Sequence, residues 1–142
     1  MYDSIFKNAL VSIQALKSAD NESLTGTGVD MQGYEGVTFI VGALEGEALD
    51  FTIKAQQAAA SDYSDAADLL GTSVAFSTTV GAKGLTSLEI VQPRERYVRP
   101  IIAVPDAAAA TPTFCIALKW GAQVKPVSND GELHVSPAEG TA

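Results

Sequence analysis

The sequence has little of the chemistry that enzymes and metalloproteins use. Its 142 residues include one cysteine, Cys115, and one histidine, His134. A single cysteine excludes an intramolecular disulfide, and this small supply of thiol and imidazole excludes a zinc site built from them. A hydrolase triad would have to use His134 as its base, in a segment that we expect to be loosely held. We therefore expect a protein that is not an enzyme and binds no cofactor.

Positive charge and long apolar runs are also scarce. The chain has nine Lys and Arg residues and 17 Asp and Glu residues, which gives a formal net charge of -8 and a sequence pI near 4.4. Such a chain repels phosphate backbones and anionic lipid, so we expect neither nucleic acid nor membrane as a partner. Asp3, Lys7 and Asn8 interrupt the first apolar stretch, and no stretch approaches the roughly 20 residues of a membrane span. We expect synthesis in a reducing compartment and release, if any, by lysis.

What the sequence does contain is a series of short apolar stretches with the period of β-strands. The segment 96–104 is β-branched and aromatic, and it lies between Pro93 and Pro105. Val98, Ile102 and Val104 share one side of this strand. Pro100 cannot donate a ladder hydrogen bond, so its position predicts a sheet edge or a bulge.

Two further patterns give specific expectations. Segments 36–43 and 49–56 alternate between apolar and other residues across Glu45-Gly46, which predicts a β-hairpin. In the segment 113–120, large apolar side chains recur at every second position, so we expect that side of the strand to face the core. The four side chains concerned are Phe114, Ile116, Leu118 and Trp120.

About eight short strands between Gly, Pro and Asp turns predict an all-β fold, an antiparallel two-sheet β-sandwich of jelly-roll or immunoglobulin-like order. The segment 1–20 fits a helix or a strand, and we favour an arm over 1–8 followed by a first strand. The sandwich domain would span 9–121. Proline and glycine break any regular element in 122–142, which we expect to form an extended C-terminal arm.

Two groups of residues are candidates for partner binding. Three arginines, Arg94, Arg96 and Arg99, lie within six positions of an acidic chain. They either pair with carboxylates of neighbouring strands or bind an acidic patch on a partner. The second group belongs to the C-terminal arm, because such arms become ordered by adding to another chain. It consists of Val127, Leu133, His134 and Val135.

Two other features have simpler interpretations. Asp62, Asp65 and Asp68 do not follow the spacing of a calcium loop, and the sequence leaves open whether they bind calcium or form a solvated acidic loop. Cys115 lies in a strand without a cluster of basic neighbours, which favours a small residue packed beside the core over a reactive thiol.

Three segments together resemble a family of small virion proteins of tailed bacteriophages, the head decoration or cement proteins. They are Val29–Phe39, Leu70-Gly71-Thr72 and Arg96-Tyr97-Val98-Arg99, in this order within 10–120. The resemblance implies a non-enzymatic protein, made in the host cytoplasm, that binds the outer surface of a capsid and stabilises it. It further implies the major capsid protein as partner, a homotrimer, and arms that hold a neighbouring chain.

Two other functions stay open at this point. A tail or head–tail joining protein of the virion would have a similar sandwich. A carbohydrate-binding module is the third possibility, but it needs a platform of exposed aromatic rings, and we expect Trp120 to face the core.

Overall fold

A computed structural model describes residues 4–16, 22–43, 48–79, 84–105 and 112–131 of the chain. The described elements are one short helix and ten strands, and none of the described helices is long and apolar enough to cross a membrane. In chain order they are α1 (Ile5–Asn8), β1 (Leu10–Leu16), β2 (Leu24–Thr25), β3 (Val29–Asp30), β4 (Gly36–Ala43), β5 (Asp50–Ala58), β6 (Ala67–Asp68), β7 (Val74–Ser77), β8 (Gly84–Val91), β9 (Tyr97–Ala103) and β10 (Phe114–Trp120).

The strands form two antiparallel sheets. The four-stranded sheet has the order β1-β10-β4-β8. In the six-stranded sheet β9 and β5 lie side by side, with β2 and β3 on the outer side of β9 and with β6 and β7 on the outer side of β5. This arrangement confirms the predicted all-β, antiparallel two-sheet sandwich.

The core lies between the two sheets. Each contributes alternate side chains of its central strands, because neighbouring residues of a strand point to opposite faces. Phe39 of β4, together with Phe51 and Ile53 of β5, is almost completely buried. The fully or nearly fully buried residues of both sheets form one cluster, in which Phe51 also packs its ring against that of Phe76 at a centroid distance of 5.4 Å.

The predicted hairpin of segments 36–43 and 49–56 is wrong. β4 pairs with β10 and β8 in the four-stranded sheet, whereas β5 pairs with β9, β6 and β7 in the other. The alternation of the two segments was identified correctly, since Phe39 and Phe51 both point inward. Two strands with strongly apolar inner faces bury more surface by facing each other across the core than by lying side by side.

The predicted core face of β10 is also wrong. Cys115 and Ala117 are fully buried, while Phe114, Ile116, Leu118 and Trp120 are only partly covered. Ala117 lies beside Phe39 and Cys115 beside Val41 in the register of β10 with β4. Small residues fit next to these larger core side chains, so the large apolar side chains of β10 project from the outer face of the sheet.

Pro100 lies inside the six-stranded sheet, and not at an edge. It pairs with Ala55 of β5 on one side. On its other side the neighbouring strand is interrupted between β2 and β3, and there Gly26 N donates to Pro100 O at 2.8 Å. The N–H and C=O of a residue point to the same side of a strand. The nitrogen of Pro100, which carries no hydrogen, therefore points to the gap between β2 and β3, where no strand needs a hydrogen bond from it.

The described parts of the two predicted arms contact each other. Within 1–8 the structure has the single turn α1, and β1 follows it. In the other arm, Val127 N donates to Lys7 O at 3.0 Å, and the Asn129 side-chain amide bonds both Val11 N and Ala9 O. The segment up to Gly131 therefore runs along the chain's own N-terminal segment.

Candidate functional site

The outer face of the four-stranded sheet is covered with apolar side chains. We call this surface the apolar face. Its members alternate with the inward-pointing residues of the same strands, and cross-strand pairing brings them together in rows. They are Val11, Ile13, Leu16, Ile40, Leu85, Val91, Phe114, Ile116, Leu118 and Trp120.

A row of isoleucines forms the centre of the apolar face. Ile116 of β10 pairs with Ile13 on one side and with Ile40 on the other. Ile116 and Ile40 are half-buried by their neighbours, whereas Ile13, on the edge strand, is 61% exposed. On the opposite edge strand Leu85 is 60% exposed. The apolar surface thus extends across all four strands.

Trp120 forms one end of the apolar face. Its ring lies over Gly36, where a Cβ atom would overlap the indole. Its Nε1 donates to Thr38 Oγ1 at 3.2 Å, and Thr38 Oγ1 donates in turn to Glu89 Oε2 at 2.8 Å. The indole is therefore held flat against the sheet, and the carboxylate of Glu89, which shares this face, is hydrogen-bonded.

A hollow extends the apolar face toward α1. It has a volume of about 460 Å³ and lies between the helix and the end of β10, with Leu118 and Trp120 in its wall. Ile5 of α1 borders the hollow and is 67% exposed. The helix therefore adds a further apolar side chain to the same side of the molecule.

The apolar face is as large as the largest apolar patch of a typical monomer, and such patches are often functional. Strands lie about 4.8 Å apart with a rise of about 3.3 Å per residue, so four strands of seven residues cover roughly 19 Å by 23 Å, on the order of 400 Å². Continuous apolar patches of more than a few hundred Å² mark contact surfaces for protein or other apolar partners. The apolar face is therefore the candidate site.

The opposite outer face, on the six-stranded sheet, contains two of the three predicted arginines, and we call it the polar face. Arg96 donates to both carboxylate oxygens of Asp30, at 2.9 and 2.7 Å. This hydrogen bond from Arg96 is the main reason why the pKa of Asp30 falls to about 2. Arg99 donates to Gln56 Oε1 at 2.9 Å, and its guanidinium lies 4.6 Å from the ring centroid of Tyr63. Both arginines thus have partners within the chain.

The other residues that were predicted to bind a partner do not cluster with Arg96 and Arg99. Arg94 is exposed and has no ion pair to another described residue. Val127 lies beside α1, where its N–H is bonded to Lys7 O. Leu133, His134 and Val135 lie outside the described residues.

The three aspartates of the acidic loop have separate roles. Asp62 accepts from Ser64 N, while the carboxylate of Asp65 accepts from Ala59 N and Ala60 N. Asp68 binds Lys54 at 2.6 Å and Gln56 at 2.8 Å. Across the described part of the chain, three or more His, Cys, Asp or Glu side chains nowhere lie close enough to hold a metal ion.

Cys115 is a core residue with an unreactive thiol. It is fully buried against the β4 side chains, and burial raises its pKa to about 12. The thiolate is the reactive form of cysteine, so this group stays protonated at neutral pH.

Comparison with known proteins identifies no relative: no family model, no curated protein and no solved structure matches this chain. The candidate site therefore stands on its geometry. Sequence reasoning missed the apolar face, although its main signal, four large apolar residues at period two in β10, was recognised and assigned to the core.

Proposed function

We propose that this chain is a non-enzymatic structural protein of a tailed-phage virion, which binds the outer surface of the capsid and stabilises it. The observation that carries the proposal is the apolar face, a sheet surface on an acidic chain that the described residues leave partly exposed. A protein of this kind acts by binding, and it requires a rigid body with a surface that is complete only after assembly.

The distribution of charge supports a protein shell as the partner. The chain has a net charge of -8, yet the apolar face includes a single described carboxylate, Glu89, which is already bonded to Thr38. An acidic molecule is repelled by phosphate and by anionic lipid. A flat and nearly uncharged face instead fits an apolar area of another protein surface.

The resemblance to decoration proteins supports the finer part of the proposal, the capsid as the location. A tail or head–tail joining protein would use the same face on another part of the particle. Electron microscopy of the virion with the labelled protein separates the two locations: label on the capsid surface supports our proposal, and label at the tail contradicts it.

The position of Trp120 bears on the carbohydrate-binding alternative, because this side chain lies on the outer face of the sheet and not in the core. Its ring lies against Gly36 and is flanked by Leu118. Most of the surrounding face is aliphatic, whereas sugar platforms rely on several exposed aromatic rings with polar groups around them. These neighbours favour a protein partner, and binding to a glycan array would contradict the proposal.

The direct test is attachment of Ile13→Glu to purified capsids lacking the protein. Ile13 is 61% exposed, so the substitution leaves the core unchanged. Burying the new carboxylate in an apolar contact should weaken attachment about tenfold or more, as measured by cosedimentation. Thr52→Glu, on the outward side of β5, is the matched control and should attach as the wild type does. Equal attachment of Ile13→Glu and wild type would contradict the proposal.

A further inference from the structure

The edges of the two sheets are protected to different degrees. The six-stranded sheet ends in short strands: β2, β3 and β6 have two residues each, and β7 has four. In the other sheet the outer edge of β1 is partly occupied, because Asn129 bonds Val11 N and Ala9 O. Short strands and covered edges are the usual means of preventing further pairing.

Within the part of the chain that the structure describes, β8 has no such protection. Its eight residues pair with β4 without a break in register, and no other described strand pairs with its outer side. Its sequence, Gly84-Leu-Thr-Ser-Leu-Glu-Ile-Val91, contains neither Pro nor Lys, residues that commonly block edge strands. This edge is therefore ready to accept another strand.

The ladder between β4 and β8 defines which groups face the open edge. Gln92 N donates to Glu35 O at 2.7 Å, directly beyond the pair Gly36 and Val91. Bonded and non-bonded pairs alternate along an antiparallel ladder. The main-chain N–H and C=O groups that point away from β4 are therefore those of Leu85, Ser87, Glu89 and Val91.

We propose that β8 pairs with β8 of a second copy of this chain, antiparallel and around a two-fold axis at Leu88. In this register Ser87 lies opposite Glu89 of the second copy, and Leu85 lies opposite its Val91. Both are pairs whose main-chain groups face the edge. The Ser87 hydroxyl then lies beside the Glu89 carboxylate, and the apolar side chains of Leu85 and Val91 pack against each other.

The neighbouring registers are less complementary. An axis at Glu89 would bring two carboxylates directly opposite each other, which is destabilising. An axis at Ser87 would place Glu89 opposite Leu85 of the second copy and leave the carboxylate beside an apolar side chain. The side chains of β8 thus select the register centred at Leu88.

The pairing would create one eight-stranded sheet. A two-fold axis perpendicular to a sheet keeps the outer faces of both copies on the same side. The two apolar faces would then be continuous and would double the contact surface. This inference does not depend on the proposed attachment to capsids, and it differs from the homotrimer that the resemblance implies.

The test is sedimentation equilibrium of the full chain with two substitutions at Ser87, which is exposed. The wild type should have twice the 14.8 kDa mass of one chain at high concentration. Ser87→Glu sets two like-charged pairs across the axis, and the dimer dissociation constant should rise about tenfold. Ser87→Lys forms two opposite-charge pairs in the same places and should strengthen the dimer by a similar factor.

Thr25→Glu and Thr25→Lys are the matched controls, since Thr25 is an exposed position on a short edge strand of the other sheet. Neither should change the dissociation constant. A wild type that stays monomeric at millimolar concentration, or that has three times the mass of one chain, would overturn the inference. A dimer that responds equally to Glu and Lys at position 87 would overturn it too. Capsid attachment of a monomeric wild type would leave the proposed function intact and refute only the pairing.

Discussion

The side chains on the two outer faces of the sandwich differ in how far they are contacted by other residues of the chain. On the six-stranded sheet, Arg96 is bonded to Asp30, and Arg99 is bonded to Gln56 and stacked on Tyr63. The apolar face has side chains of similar size, but at Ile13 and Leu85 more than half of the surface is exposed. The charged side chains Arg96 and Arg99 thus have partners within the chain, whereas the described residues leave Ile13 and Leu85 largely exposed. An arginine cluster is thus a weaker indication of a binding surface than a sheet face with exposed apolar side chains at its edges, such as Ile13 and Leu85.

The strongest test of the difference between the core and the apolar face is to substitute neighbouring residues of β4 that point to opposite sides of the sheet. Phe39 is fully buried, so Phe39→Ala should lower the free energy of unfolding by about 3–5 kcal/mol. Ile40 points to the apolar face and is half-buried, so Ile40→Ala should cost about 1 kcal/mol. Urea unfolding of both variants measures the difference. Similar losses would mean that the apolar face is covered in the free protein.

Sequence reasoning found the fold class and most of the longer strands, but it missed the short strands β2 and β6 and assigned the wrong side of β10 to the core. The alternation of Phe114, Ile116, Leu118 and Trp120 has the period of a strand with an apolar side, and that side was assigned to the core. Periodicity shows that one side is apolar but does not show which side faces inward. Here Ala117 has to fit beside Phe39, and this pairing depends on a strand that is distant in the sequence.

The sheet assignment of β4 and β5 failed for a similar reason. Alternating segments across a short connection fit a hairpin and fit equally a crossing from one sheet to the other. The long-range partners β8, β9 and β10 decide between these possibilities. The arginine cluster was found in the sequence because its residues are close together along the chain. The apolar face was missed because four strands distant in sequence assemble it.

A moderate effect should come from two glycines, Gly26 between β2 and β3 and Gly36 in β4. A Cβ atom at Gly26 would overlap the ring of Pro100, which is rigid and fully buried in the six-stranded sheet. We expect Gly26→Ala to cost about 3 kcal/mol of unfolding free energy, at the upper end for overpacking. A Cβ atom at Gly36 would overlap the Trp120 ring, which is only half-buried and can turn toward solvent. Gly36→Ala should cost about 1 kcal/mol.

Tryptophan fluorescence gives this pair of variants an internal control, because Trp120 is the only tryptophan. Gly36→Ala should shift the emission to longer wavelength as the indole leaves Thr38. Gly26→Ala should leave the emission of the folded protein unchanged. A red shift in Gly26→Ala, or none in Gly36→Ala, would contradict the placement of the indole on the apolar face.

The smallest effect concerns the ion pair of the polar face. Hydrogen bonding to Arg96 lowers the pKa of Asp30 from 3.8 to about 2 in the folded protein. A carboxyl group whose pKa is lower in the folded state stabilises the fold above its unfolded pKa, and this contribution is lost as the pH falls through the folded pKa. Both side chains are more than a third exposed, so solvent screening limits the contribution to about 1 kcal/mol.

The measurement is the free energy of unfolding of wild type and Asp30→Asn between about pH 6 and pH 2. At the upper end the wild type should be more stable by up to about 1 kcal/mol, and the difference should shrink between about pH 4 and pH 2 as Asp30 is protonated. Arg96→Lys serves as the control, since lysine keeps the charge but cannot donate to both carboxylate oxygens in the planar geometry of arginine. Near pH 6, the free energy of unfolding of Arg96→Lys should lie between those of the wild type and Asp30→Asn. A difference that is constant with pH would show that the Asp30→Asn substitution perturbs packing, and that the polar face is not held by this ion pair.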